Sequence, residues 1–174
     1  MADEARNTRS CGGCTLCCKV YDVPVLEKPR GRWCGHCAPG RGCEIHASRP
    51  EFCRDFQCLW ILDTRLGDEW RPDRAKFVMS YLAEKGLLAV TCDPGAPRAW
   101  KREPYYSKLK AWAAELMARG HFVMVQSGDQ GTLVTTETDT PLGIIGEGFE
   151  LKAVSEGGRM NIEIKRNKAR EKAA

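Results

Sequence analysis

Nine of the ten cysteines in this chain fall between Cys11 and Cys58. They open as Cys11-x-x-Cys14-x-x-Cys17-Cys18 and close with Cys34-x-x-Cys37, Cys43, Cys53 and Cys58. Two residues between cysteines let a tight turn aim both sulfurs at one ion, and thiolate is the soft ligand that zinc and iron-sulfur clusters prefer. Residues 11–47 also hold six glycines and few apolar residues outside Val20 to Leu26. Such a segment cannot bury enough surface to order itself without cross-links. Metal would supply them.

Length sets the scale of the rest. At 174 residues the chain has room for one ordinary core, or for a small metal-held lobe joined to a compact domain, but not for two large domains. The first ten residues carry charge and no apolar run, so no secretory signal is expected, and no apolar stretch approaches bilayer-spanning length. These features lead us to expect a cytoplasmic protein without membrane contact. In a reducing compartment, paired cysteines argue for metal, whereas a disulfide framework would belong to a small secreted domain.

The formal charge is +4 with neutral thiols. Eight thiolates and two divalent ions would bring it to about zero. Basic residues persist at the C-terminal end, where Lys152, Arg159, Lys165, Arg166, Lys168, Arg170 and Lys172 outnumber Glu156, Glu163 and Glu171. No aromatic residue follows Phe149 to stack on bases, so nucleic acid is not the expected partner.

Residues 1–10 read as a disordered start, 11–62 as the cysteine-cluster lobe, 63–165 as an α+β domain and 166–174 as a basic disordered tail. Ser48-Arg49-Pro50-Glu51 fits a capping box, with Pro50 in the first helical turn. Phe52, Phe56, Leu59 and Trp60 then recur at helical spacing as one packing face. Cys53 and Cys58 would lie about 140° apart on a regular helix, so either that helix ends before Cys58 or the two sulfurs serve different ions.

Further along, Lys76 to Leu82 and Leu87 to Cys92 read as a hairpin around Ala83 to Gly86. Pro104 opens a helix with the stripe Tyr105, Leu109, Trp112 and Leu116, closed by Gly120. Two more hairpins follow, His121 to Gln126 with Gly131 to Thr136, and Glu150 to Ser155 with Met160 to Lys165. The expected fold class is therefore α+β: an irregular cysteine-rich lobe, then a mostly antiparallel sheet with one or two packed helices.

Four sulfurs complete one tetrahedral site, so nine are compatible with one ion or two. Adjacent Cys17 and Cys18 cannot easily chelate one ion together, because neighbouring side chains diverge on a helix and alternate on a strand. All nine clustered cysteines are candidate ligands. His36 and His46 could each replace a sulfur but are read chiefly as supporting or surface residues. Cys92, far from the cluster, reads as a small buried hydrophobe.

The run Cys11-Gly12-Gly13-Cys14-Thr15-Leu16-Cys17-Cys18, together with Gly42 to Cys58, resembles the YkgJ-type cysteine-cluster family, whose CxxCxxCC domain is described as zinc- or iron-chelating. The resemblance covers residues 11–58. It implies a bound zinc or iron centre and no assigned biochemical role. Related clusters in flagellin lysine methylases are iron-sulfur, which keeps redox and methyl-transfer readings open. His46 stands where many members have tyrosine, so no ligand role passes to it. Cys37 is less regular in the family pattern, so the resemblance makes it the first candidate for a sulfur outside the centre and leaves Cys11, Cys14, Cys17, Cys18, Cys34, Cys43, Cys53 and Cys58 as the expected ligands, with Cys37 and His36 in reserve.

Arg49, Arg54 and Asp55 are expected to support the ligands, and Trp33 and Trp60 to shield them from water. No HExxH or H-x-E…C-x-x-C set is present, so no catalytic constellation is recognised. The leading expectation is a protein with one or two zinc ions, chiefly structural, presenting a surface to an unidentified protein partner. Two alternatives remain open: an iron-sulfur protein serving electron transfer or a radical or methyl-transfer enzyme, and a thiol redox or metal-delivery factor using Cys34 and Cys37.

Overall fold

The computed structural model describes residues 9–145, 149–156 and 159–166. The expectations for residues 1–8 and for the tail beyond 166 lie outside the described residues. The cysteine-rich part is built from short pieces: helix α1 (Cys17–Val20), strands β1 (Cys37–Ala38) and β2 (Gly42–Cys43), and helices α2 (Glu51–Asp55) and α3 (Leu59–Leu62). Helix α4 (Pro72–Ala75) is equally short, and longer elements follow it: β3 (Phe77–Leu82), β4 (Leu87–Cys92), α5 (Tyr105–Met117), β5 (Phe122–Ser127), β6 (Gln130–Val134) and β7 (Asp139–Ile144). Strands β8 (Phe149–Glu156) and β9 (Arg159–Arg166) pair with each other as a two-stranded sheet. The expected α+β class is what the chain forms.

The main sheet runs β3-β4-β5-β6-β7. All neighbours are antiparallel except β4 and β5, which run parallel with Leu87 opposite Phe122. A parallel pair needs a crossover, and α5 lies in it. Gly86 turns the β3–β4 hairpin at φ +55°, a backbone region that glycine enters without penalty. At the end of α5, Gly120 adopts φ +73°. There the Gly120 N–H donates to the Met117 carbonyl at 3.0 Å and the His121 N–H to the Leu116 carbonyl at 2.9 Å, the bond pair of a Schellman cap.

Alternation along β5 divides the core. Val123 and Val125 join Phe77, Val78, Val90, Val134, Leu109 and Ala113 in one cluster. Phe122 and Met124 face the other way, with Leu87, Leu133, Leu142 and Ile145. Successive strand residues point to opposite faces, so β5 is apolar throughout. On the helix side, the Trp70 ring lies 5.0 Å from Tyr105 and 5.1 Å from Trp112, and Phe77 lies 5.0 Å from Tyr105. Lys110 and Lys101 approach the Asp139 carboxylate at 2.8 Å and 3.1 Å, tying β7 to the helix region.

Among the described residues, the buried apolar side chains of the cysteine-rich part other than Val23 join the core of the sheet. Leu16, Val20, Cys58, Trp60 and Leu66 belong to the same apolar cluster as the sheet residues on the α5 side. Lys19 reaches Asp93 at 2.6 Å across the junction. Arg9, inside the segment expected to be disordered, is held by carbonyls at the end of α3: its guanidinium donates to Trp60 at 2.7 Å, Asp63 at 2.9 Å, Thr64 at 3.2 Å and Leu66 at 2.5 Å.

The capping box does not form. Arg49, preceding a proline, is extended at φ −59° and ψ 149°, because the proline ring disfavours helical backbone before it. Ser48 instead ends a 3₁₀ turn from His46, and α2 starts at Glu51 with Pro50 as its cap. The single helix expected beyond it is also divided, since Phe56 and Cys58 are extended and separate α2 from α3. Phe52 is thus half exposed rather than part of a packed face, while Trp60 is buried.

Cys92 is buried at 2 % exposure, as expected for a core position. Burial lifts its thiol from the ordinary 9.0 to about 11. A group raised in the folded state contributes stability that is complete below the unfolded pKa and disappears as pH rises through the folded one. We therefore expect Cys92 to cost about 2–3 kcal/mol of stability between pH 9 and pH 11. Denaturant unfolding of wild type and Cys92→Ala at pH 8 and pH 11 checks this: the wild type should lose more than the variant.

Candidate metal centre

Two knuckle-like turns bring the first sulfurs in. The Cys14 N–H donates to the Cys11 carbonyl at 2.7 Å, and the Cys37 N–H to the Cys34 carbonyl at 3.1 Å. A third bond, from the Cys34 N–H to the Cys18 carbonyl at 3.0 Å, holds the second turn against α1. Strands β1 and β2 place Cys37 opposite Cys43. Cys53 comes from α2, and Cys58 is the residue that caps α3.

These segments enclose a cavity of about 420 Å³. Its lining contains all eight expected ligands: Cys11, Cys14, Cys17, Cys18, Cys34, Cys43, Cys53 and Cys58. Cys37 and His36 are not in that lining, and His36 is exposed. Among the described residues, no three cysteine, histidine or carboxylate side chains already stand close enough to hold an ion. The sulfurs surround a space, so an ion bound there would draw them inward. The lining offers eight thiols, with the His46 imidazole beside them, a soft donor set that suits zinc or an iron-sulfur cluster and not a hard cation.

Burial and neighbouring sulfurs raise the pKa of five of the clustered thiols. Cys18 is raised strongly, first by its hydrogen bond with Cys17 and then by burial. Burial and then the Cys18 charge push Cys37 to about 12. Burial also lifts Cys58 to about 11 and raises Cys14 and Cys53. Several thiolates cannot share this space without a positive charge, so metal uptake here would release protons and weaken at low pH.

Lys28 is a site feature that sequence reasoning missed. Only 5 % of it is exposed, and its ammonium donates to the carbonyls of Lys19, at 2.8 Å, and Tyr21. Burial lowers its pKa, and the charges of Cys34, Cys18 and nearby acids act in the opposite direction. A buried cation therefore stands beside the sulfurs, and nothing in its local sequence marks it. Tyr21 lines the cavity too, with its ring 4.8 Å from Phe56 and its hydroxyl beside Thr91 and Ser80 without completing a hydrogen bond to either.

Other expected supports divide. Arg49 lines the cavity and contacts His46 Nε2, whereas Arg54 and Asp55 are exposed. Trp60 lines the cavity and is buried. Trp33 does not shield it, being 42 % exposed beneath the Lys19 ammonium at 5.5 Å. Thr15 is buried and accepts the Gly40 N–H at 3.2 Å, joining the Cys11–Cys14 turn to the loop before Cys43.

Gly13 is where these two loops touch. A Cβ there would come within 2.6 Å of the Gly40 carbonyl oxygen, a backbone atom that cannot swing away. We expect Gly13→Ala to destabilise the protein by about 1–3 kcal/mol through this overpacking. Thermal melting of the variant measures it, and an unchanged melting temperature would contradict the contact. No helix among the described residues is long and apolar enough to cross a membrane. No family model, curated protein or solved structure matches the chain.

Proposed function

We propose that this chain is a cysteine-cluster metal-binding protein of the YkgJ type, working in a reducing, cytoplasmic setting. Its metal is zinc, and its role is chiefly structural. One observation carries the reading: the eight expected sulfurs all line a single cavity, while the two reserve candidates do not. Four thiolates saturate a zinc ion, leaving no open position for chemistry. Bound zinc would supply cross-links in a segment that has little apolar surface of its own.

The lobe also exposes Val25 (72 %), Phe52 (50 %) and Trp33 (42 %). These apolar side chains support a role in presenting a surface to a protein partner. An iron-sulfur centre is the second reading, favoured by the roominess of the cavity, since a cluster fills more space than one ion. Elemental analysis of reduced, anaerobically purified protein separates the two. Zinc in a colourless sample supports the proposal; iron with acid-labile sulfide in a brown sample replaces it with the second reading, and absence of any metal rejects both.

A further inference from the structure

The β1–β2 hairpin sets one sulfur apart from the others. Cys37 and Cys43 stand directly opposite each other on its antiparallel ladder. On the neighbouring rung the Glu44 N–H donates to the His36 carbonyl at 2.8 Å, so the Cys37–Cys43 rung is a non-hydrogen-bonded one, the kind that brings opposed side chains closest. Its two side chains leave the same face of the ladder. Such a rung holds its Cα atoms about 4.5 Å apart, inside the window of about 4.4–6.8 Å that a disulfide spans. Their relation to the cavity differs, however: Cys43 lines it and Cys37 does not. Cys37 is thus left over from the donor set while facing one of its members. His36, Pro39, Gly40, Arg41 and Glu44 around the pair are exposed, so a small oxidant reaches the hairpin from solvent.

We propose that Cys37 and Cys43 form a reversible disulfide when hydrogen peroxide reaches the hairpin, withdrawing Cys43 from the metal centre and making metal retention depend on the redox state of the surroundings. The Cys43 thiolate attacks one peroxide oxygen and the O–O bond breaks, leaving a sulfenic acid on Cys43 and a hydroxide ion. The Cys37 sulfur then attacks the Cys43 sulfur. The S–S bond forms, the S–O bond breaks, and the departing hydroxide takes the Cys37 proton to become water. Two electrons pass from the two sulfurs to the two peroxide oxygens. A small dithiol reverses the step by thiol–disulfide exchange and is itself oxidised. Metal binds thiolate, so a Cys43 held in the disulfide no longer serves as a ligand.

This inference rests on the metal-binding reading and adds a regulation to it. Zinc uptake by the reduced wild type is measured first, so a chain that takes up none overturns the metal reading, and this inference with it, before any oxidant is added. One equivalent of hydrogen peroxide per zinc-loaded chain should release zinc to a chromophoric chelator, and dithiothreitol with added zinc should restore uptake. Mass spectrometry of an unreduced digest, with the remaining thiols alkylated, should find Cys37 joined to Cys43. Reduced Cys37→Ser should take up zinc as the wild type does, and its release under the same peroxide should be slower by about tenfold or more. A link from Cys37 to Cys34, a link confined to the other cysteines, or equal release from Cys37→Ser overturns the inference while metal binding stands. The wild-type disulfide map decides the pairing even if the variant fails to fold.

Discussion

Chelating the metal from the reduced protein should abolish amide-exchange protection through residues 11–47. The largest losses should fall at the Cys34, Cys37 and Gly40 amides, which bond across the cysteine loops. Within that stretch Leu16, Val20 and Val23 are the buried apolar side chains, far too few to fix the backbone of so many residues. Thiolate-bound zinc in small peptides contributes about 10–16 kcal/mol, enough to decide whether such a segment is ordered. Cys14→Ala and Cys53→Ala should each release bound metal and lower the melting temperature. Hydrogen exchange with and without chelator is the measurement, and equal protection in both states would refute the role given to the metal.

Phe77→Ala should cost about 3–5 kcal/mol, the range for truncating a buried phenylalanine. Phe77 is fully buried between β3 and α5, edge-on to Tyr105 at 5.0 Å and to Trp70 at 6.2 Å. Its loss leaves a void bordered by rigid aromatic rings that cannot collapse to fill it. Because Trp60 and Leu16 share that cluster, the damage should extend to the cysteine-rich part. Denaturant unfolding followed by tryptophan fluorescence should give one coincident, earlier transition for the whole chain. A cost below about 1 kcal/mol would mean that the aromatic cluster does not hold α5 to the sheet.

Local signals carried much of the architecture. Gly86 and the Ser127 to Gln130 turn lie between runs of β-formers, and both hairpins are present. The α5 stripe and its glycine cap needed only helical periodicity. Strand β7 was not legible, because Pro141 and Gly143 interrupt its pattern. Its place at the sheet edge, beside a bulge at Gly131/Thr132, is where a strand can carry such residues. The capping box failed for a reason that is itself local: Pro50 controls the backbone of Arg49 more firmly than Ser48 can recruit an amide.

At the candidate site, the cysteine spacing drew attention to the cluster, and eight of its nine cysteines line the cavity. Lys28 escaped notice because burial of a lysine depends on which carbonyls the fold brings to its ammonium, here those of Lys19 and Tyr21. His36 is exposed and outside the cavity lining; its position within Cys34-x-x-Cys37 says nothing about which side of the turn it faces.

The parallel seam between β4 and β5 has a consequence for biosynthesis. Val90 and Val125 become neighbours only after the intervening segment, α5 included, has left the ribosome. Leu16 and Trp60 need that seam for cover, so the cysteines emerge first and wait. With about 70 residues separating Cys58 from the end of β5 and elongation near 5–20 residues per second, the nascent thiols spend several seconds without shelter. Reductants and free metal in the surrounding fluid act on the chain during that interval, before the finished cavity exists.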